Sequence, residues 1–385
     1  MIRQSLSRIR TNLRGWSTNR KIVVIESDDW GSIRMPSRNT YEKCLQAGYP
    51  VDQEPFERYD SLESEEDLCS LFDLLMSFID SNGNKPGITA NCVVANPDFD
   101  KIKEDGFQTY HYELVSETFK KYPKHSKSFD LWEEGMTLGI FNPQYHCREH
   151  LNVSLFMRDL GRGVEEAHFG FKNNMPGCLP KGANSTGNSY VEATSYSSEA
   201  DKREKLNFYL EGLDIFEDIF GKQSKSIIPP NYKWSPDFNT ALRAKGVRFI
   251  QGLHTMFEPI PGKQNNHYYH FLGKMSEGGL ISLVRNAIFE PSQTIKGVSD
   301  PVDYCLYDIA LAFRMKKPAL ISSHRLNYIG YIDENNRKKN LRQLKTLLSE
   351  VIKRWPDVEF LTSDQLGETI AAGYELCTET SANKS

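Results

Sequence analysis

The sequence predicts an α/β fold, a parallel sheet covered by helices. Two observations point there. Apolar, β-branched runs of strand length alternate with stretches of helical periodicity along the chain. Several of these strand candidates also run directly into polar, chemistry-bearing residues, and strand ends are where α/β folds place their ligands. About seven or eight strands can be counted, enough to close a barrel. No composition break or internal repeat divides the 385 residues, so residues 1–385 are expected to form a single domain.

The first strand is the one around which the rest is organised. Lys21–Ile25 carries Val23, Val24 and Ile25 in a row and leads into Glu26, Ser27, Asp28, Asp29 and Trp30. Two adjacent carboxylates at the end of a buried strand are costly unless a metal ion or a cation compensates them. The plainer alternative is a helix N-cap pair. Residues 33–60 are turn-rich and read as loop with a short helix; 62–80 read as a helix with an acidic first turn. A second strand is expected at 88–95, a helix at 109–121, and a third strand at 136–142, with Asn142-Pro143 ending it. Residues 161–195, rich in Gly, Asn and Ser, read as a lid or substrate loop; Glu165, Glu166 and His168 are its candidates to reach a substrate, set against a plain solvated loop.

A long helix is expected at 197–220. Alternation then follows: strand 225–229, helix 236–245, strands 247–251 and 280–286, helix 301–315, strand 318–323, helix 334–354, strand 358–362 and helix 363–372. The polar tail from about 375 reads as loose.

Composition excludes several classes. Charged residues make up 25% and the net charge is −4, which gives no general affinity for nucleic acid. Seven cysteines, an odd number with no CxxC, argue against a disulfide framework or zinc knuckle and for a reducing, cytoplasmic setting. No apolar run approaches the roughly 20 residues of a membrane helix. The basic, amphipathic N-terminus (Ile2, Leu6, Ile9 and Leu13 at helical spacing) reads as a helix packed on the domain, or as a membrane-surface helix.

His146 and His150 are four apart among only nine histidines, and on a helix both would face one metal. One aspartate of the Asp28-Asp29 pair would complete the ligand set, and the other would take a proton from a water on the metal. The strand 319–324, ALISSH, ends in His324, placed to act as general acid.

Taken in order, strand–Asp28-Asp29, His146-x-x-x-His150, Pro229-Pro230-Asn231-Tyr232 and strand–Leu320-x-x-x-His324 resemble the polysaccharide deacetylase family, metal-dependent carbohydrate esterases with a distorted, incomplete (β/α) barrel. The motifs span residues 26–324. The resemblance implies that Asp28 is the catalytic base, that Asp29, His146 and His150 bind the metal, and that His324 is the acid. Pro230 and Tyr232 would wall the substrate groove, with Tyr232 or a nearby backbone N–H holding the oxyanion. Trp30, Trp234, His254 and Arg325 are further candidates to line it. The implied cofactor is a divalent transition metal, with zinc first and nickel, cobalt or iron fitting the same ligands. The implied substrate is an N-acetylated (or O-acetylated) sugar, glycan precursor or glycolipid.

Two departures stand out. Trp30 replaces the glycine that usually follows the aspartate pair, and Ser226, Ile227 and Ile228 stand where the family carries the arginine that orients the base. Arg325 or Arg34 is the available substitute. The long stretches 33–85 and 161–195 read as insertions.

Two rival functions remain. His146-Cys147-Arg148-Glu149-His150 also matches the H-x-x-E-H zinc-peptidase pattern, with Glu149 as base and Glu217 as a third ligand. The missing arginine would also fit a catalytically inactive carbohydrate-binding member of the same fold.

Overall fold

The computed structural model describes residues 2–178, 181 and 189–382, with side chains described between residues 8 and 374. Nine strands form one parallel sheet: β1 (Lys21–Trp30), β2 (Ile88–Val93), β3 (Phe141–Cys147), β4 (Ser226–Ile227), β5 (Phe249–Gly252), β6 (Ile281–Val284), β7 (Ala287–Ile288), β8 (Ala319–His324) and β9 (Val358–Phe360). The order is β6-β5-β4-β3-β2-β1-β8-β7, with β9 beside the first residues of β1.

The sheet curls until one chain segment serves both of its edges. β6 pairs with β5 and β7 with β8, and only Arg285 and Asn286 separate β6 from β7. The Arg285 amide donates to Gly252 and the next amide, Asn286, to Leu320. β6 and β7 share no ladder with each other, so the result is an incomplete (β/α) barrel.

The strands are apolar outside, where Val23 and Ile25 meet the helices, and graded within. Ile22 and Val24 lie in the lower layer with Phe249, Leu320, Leu366 and Ile370, the last two from the C-terminal helix Ser363–Ala382, which plugs that end. Each such burial contributes about 1.5–3 kcal/mol. Two and four residues further along the same face stand Glu26 and Asp28, because side chains alternate along a strand. The barrel is thus plugged with hydrocarbon below and polar above.

Several expectations are corrected. The third strand is not 136–142: the helix Ser128–Thr137 covers its start, and β3 runs Phe141–Cys147 with Pro143 inside it. A proline is tolerated there because the neighbour β4 pairs with β3 only at Tyr145. Residues 112–114 are a short strand antiparallel to Ala95–Pro97, leaving a helix only at Val115–Lys121. The backbone from 375 to 382 continues the last helix instead of ending in a tail. The N-terminal helix Ile2–Leu13 is docked: Arg8 pairs with Asp308 at 2.7 Å and lies over the Tyr304 ring. Among the described residues, no helix is long and apolar enough to cross a membrane.

Candidate active site

The two acids of β1 would ordinarily point to opposite faces. Here the β1–β2 register shifts between Ser27 and Trp30, and Asp29 adopts a left-handed φ of 76°. For a non-glycine residue that conformation is strained, and it turns both carboxylates toward one cavity. A second irregularity acts in the same way. Cys92 and Val93 of β2 face Tyr145 and Cys147 of β3, so His146 is an extra residue bulged out of the ladder.

The expected helix carrying both histidines is therefore absent. His146 sits on a bulged strand and His150 in the turn before the helix Val153–Gly161, which Asn152 caps. Bulge and turn bring the imidazoles together all the same, with ring centroids 4.9 Å apart.

Asp29 Oδ1 lies 3.4 Å from His146 Nε2 and 3.3 Å from His150 Nε2. Ligand atoms of all three residues lie within 4.8 Å of one another, and all three residues are buried. His146 places Nδ1 2.8 Å from the Ile228 carbonyl, which fixes Nδ1–H as donor and leaves the Nε2 lone pair facing the cluster. Burial, then the Arg34 guanidinium, holds His150 well below the usual histidine range. Burial raises the Asp29 carboxyl, but His150, Arg34 and His146 outweigh it and hold it well below its usual range. Two imidazole nitrogens and one carboxylate at this spacing fit a divalent transition metal.

Asp28 is held separately. Arg285, at the end of β6, grips it with two bonds, to Oδ2 at 2.7 Å and to Oδ1 at 2.6 Å. The same guanidinium donates to Glu26 at 2.6 Å, and Asn91 donates to Asp28 Oδ1 at 2.8 Å. Burial alone would raise the Asp28 pKa; Arg285 reverses the sign and lowers it. Arg285 thus makes the contact to Asp28 for which the sequence offered Arg325 or Arg34.

Arg325 is elsewhere, fully buried between Asp60 (2.9 Å) and Glu63 (2.8 Å). Arg34 faces Asp29 at 3.5 Å rather than Asp28.

His324 and Asp28 are register partners on adjacent strands, with His324 Nε2 3.7 Å from Asp28 Oδ2. Its Nδ1 meets Glu290 Oε1 at 2.5 Å. Burial disfavours the charged imidazole, but Glu290, aided by Asp28, overcomes this and raises its pKa to about 9. Glu290 is held in turn by Asn327 at 2.7 Å and Gln293 at 3.0 Å.

These groups open into a cavity of about 320 Å³. Its wall includes Asn231 and Tyr232, both left-handed with φ of 53° and 55°. The Tyr232 N–H is spent on Pro229 O, so it cannot serve as an oxyanion donor; the phenol remains, 3.2 Å from Arg285. Pro230 is buried behind this turn and Pro229 reaches the cavity instead. Both stretches read as insertions contribute to the wall: Glu54, Phe56 and Glu57 from the first and Val191 from the second.

The other candidates are not brought to it. Trp30 is a core ring bonded to Ser27 and stacked on Tyr328, and Trp234 is buried on Asn239. His254 bonds the His270 carbonyl and packs on Tyr269 and Phe271. Glu165 pairs with Lys181, and His168 bonds Leu160 O.

The peptidase reading loses its base. Glu149 is buried and gripped by Arg148 at 2.6 and 2.9 Å, away from the cavity lining, and Glu217 lies on the helix Glu199–Phe220, outside the ligand cluster. Arg285 removes the observation that favoured an inactive binder.

Neither a family model nor a curated protein sequence matches the chain. Solved structures do resemble it at low identity. One is a Mycobacterium smegmatis protein assigned provisionally as a polysaccharide deacetylase (11% identical, TM-score 0.46, 94% of each chain covered). Another is a Parabacteroides distasonis protein assigned provisionally as a glycoside hydrolase/deacetylase (12%, TM-score 0.49, 92% of this chain and 72% of that one). A third is an allantoinase (10%, TM-score 0.45, 92% and 91%).

Proposed function

We propose that this chain is a metal-dependent amide hydrolase that removes the acetyl group of an N-acetylated sugar. The observation that carries the proposal is the juxtaposition of Asp28 and His324, level on adjacent strands, beside the Asp29–His146–His150 donor set. Their environments push the two groups in opposite directions, Asp28 down and His324 up. That is the pattern of a base and an acid working together near neutral pH.

Asp29, His146 and His150 would hold the metal, which when bound supplies Lewis acidity to the acetyl carbonyl and lowers the pKa of water. Asp28, kept ionised by Arg285, takes the proton of the water that adds to the carbonyl carbon. His324 Nε2 gives its proton to the sugar nitrogen as the C–N bond breaks, leaving acetate and a free amine. Glu290 holds the imidazole by Nδ1 and keeps it charged until that step. The Tyr232 phenol and Asn231 amide are the polar wall groups against which the sugar is oriented.

Acetate release from N-acetylated hexosamines, assayed with zinc, cobalt or nickel supplied, tests the proposal. Asp28→Asn and His324→Ala are each expected to lose about 10²–10⁴-fold in kcat. Full activity in either variant would refute the assignment.

A further inference from the structure

The N-terminal helix Ile2–Leu13 docks on the domain with polar residues inward. Arg8 pairs with Asp308, and Asn12, only 2% exposed, accepts from Asn286 at 2.9 Å. Ile9 and Leu13, from the apolar stripe read in the sequence, face solvent instead, 38% and 63% exposed. An amphipathic helix that packs only for stability buries that stripe.

The surroundings extend this apolar surface. Ten large apolar or aromatic residues are exposed among the described residues, and six of them gather here. Tyr269 lies under Arg10 and Tyr307 under Arg8, and residues two apart on a helix stand on opposite flanks. Tyr374 donates to the Gly273 carbonyl at 2.6 Å, beside Leu272, whose carbonyl takes the Trp16 amide; Met275 stands two residues on. Such a gathering marks an interaction surface, where scattered single residues would not.

Charge identifies the partner. The first 25 residues hold six arginines and lysines and no acid, in a chain of net charge −4. Arg8 and Arg20 are spent on Asp308 and Glu359. Arg10 and Arg14 are exposed and lie over the Tyr269 and Phe271 rings, at 5.0 and 5.7 Å, so their charge stays open to solvent. We infer that the helix and its tyrosine rim dock on the surface of an anionic lipid bilayer. Ile9 and Leu13 enter the headgroup layer, Arg10 and Arg14 meet lipid phosphates, and the tyrosine rings sit at the boundary. A second copy of this face would instead set Arg10 and Arg14 against like charges. Docking there does not depend on the chemistry of the catalytic cavity.

The test sediments the full chain with phosphatidylcholine vesicles that contain or lack phosphatidylglycerol, at low and high salt. Binding is expected on the anionic vesicles, weakening steeply as salt rises, with little on phosphatidylcholine alone. Arg10→Glu/Arg14→Glu should lower affinity by at least about 25-fold, about fivefold for each arginine lost. Ile9→Ser/Leu13→Ser should release the protein from anionic vesicles at low salt. Both double variants should keep the wild-type Tm, because all four side chains are exposed. No sedimentation with anionic vesicles, equal sedimentation with both kinds, or full binding by either folded variant would overturn the membrane surface. A concentration-dependent dimer in ultracentrifugation, lost in Ile9→Ser/Leu13→Ser and indifferent to vesicles, would also overturn it and assign the face to a second copy.

Discussion

Two buried arginines in this molecule are built almost alike and do different things. Arg285 lies between Glu26 and Asp28, and Arg325 between Asp60 and Glu63. Both are almost completely sealed from solvent. Each neutralises two carboxylates that could not otherwise be buried. The difference lies in what the held acids can reach. Asp28 lines the cavity opposite His324, whereas Glu63 turns inward to the Gly31 amide at 3.0 Å and Asp60 stays behind Arg34. A buried arginine–carboxylate cluster is thus no sign of catalysis in itself; in the proposed mechanism it is access to His324 that gives Asp28 its part.

Lysine at each position breaks the symmetry most sharply. Arg285→Lys keeps the charge but loses the two-pronged grip on Asp28, and misplacing the base should cost about 10²-fold in kcat/KM. Arg325→Lys should leave kcat/KM of the folded protein unchanged and lower stability by about 1–3 kcal/mol, read by denaturant unfolding. If the two variants exchanged these signatures, the assignment of roles would be wrong.

A smaller effect separates the acid from its support. With the His324 pKa at about 9, the alkaline limb of kcat/KM should fall near that pH, as the proton donor is lost. Glu290→Gln removes the main charge that raises it, so the limb should move down by about 1–3 pH units. An unmoved limb would mean that another group is the acid.

The smallest effect belongs to Glu63. Burial raises its carboxyl to about 7 against the opposing pull of Arg325. A folded pKa above the unfolded value near 4.5 means that its contribution is complete below that value and is lost as pH rises through about 7. Glu63→Gln should flatten the stability profile between those limits, measured by Tm against pH, while the acetate-release profile keeps its shape.

Much of this was legible in the sequence wherever the signal was local. β1, β2 and β8 announce themselves as apolar runs, with Asp28 and Asp29 at the end of β1 and His324 at the end of β8, while His146 and His150 stand out by their spacing alone. The reason for the histidine pair was misread. Helical spacing suggested a shared helix face, but a β-bulge and a turn give the same proximity, and bulges leave no periodic trace. β3 is expected too early in the chain because Asn142-Pro143 imitates a strand end, although a sparsely paired neighbour lets the proline stay inside the strand.

Arg285 and Glu290 were missed for another reason. Their roles exist only through partners 257 and 34 residues away, joined where one segment closes the two edges of the sheet. The available signal was an arginine directly after the apolar run Ile281–Val284, the same pattern of strand running into charge that singled out Asp28.

The central claim is that Asp29, His146 and His150 form one metal site, and metal stoichiometry tests it most directly. Purified wild-type protein and the His146→Ala/His150→Ala variant would be stripped, given zinc, cobalt or nickel, and analysed for bound metal after desalting. About one ion per chain in the wild type and none in the folded double variant is the predicted result. Equal metal in both proteins, or none in the wild type under any of the three ions, would contradict it.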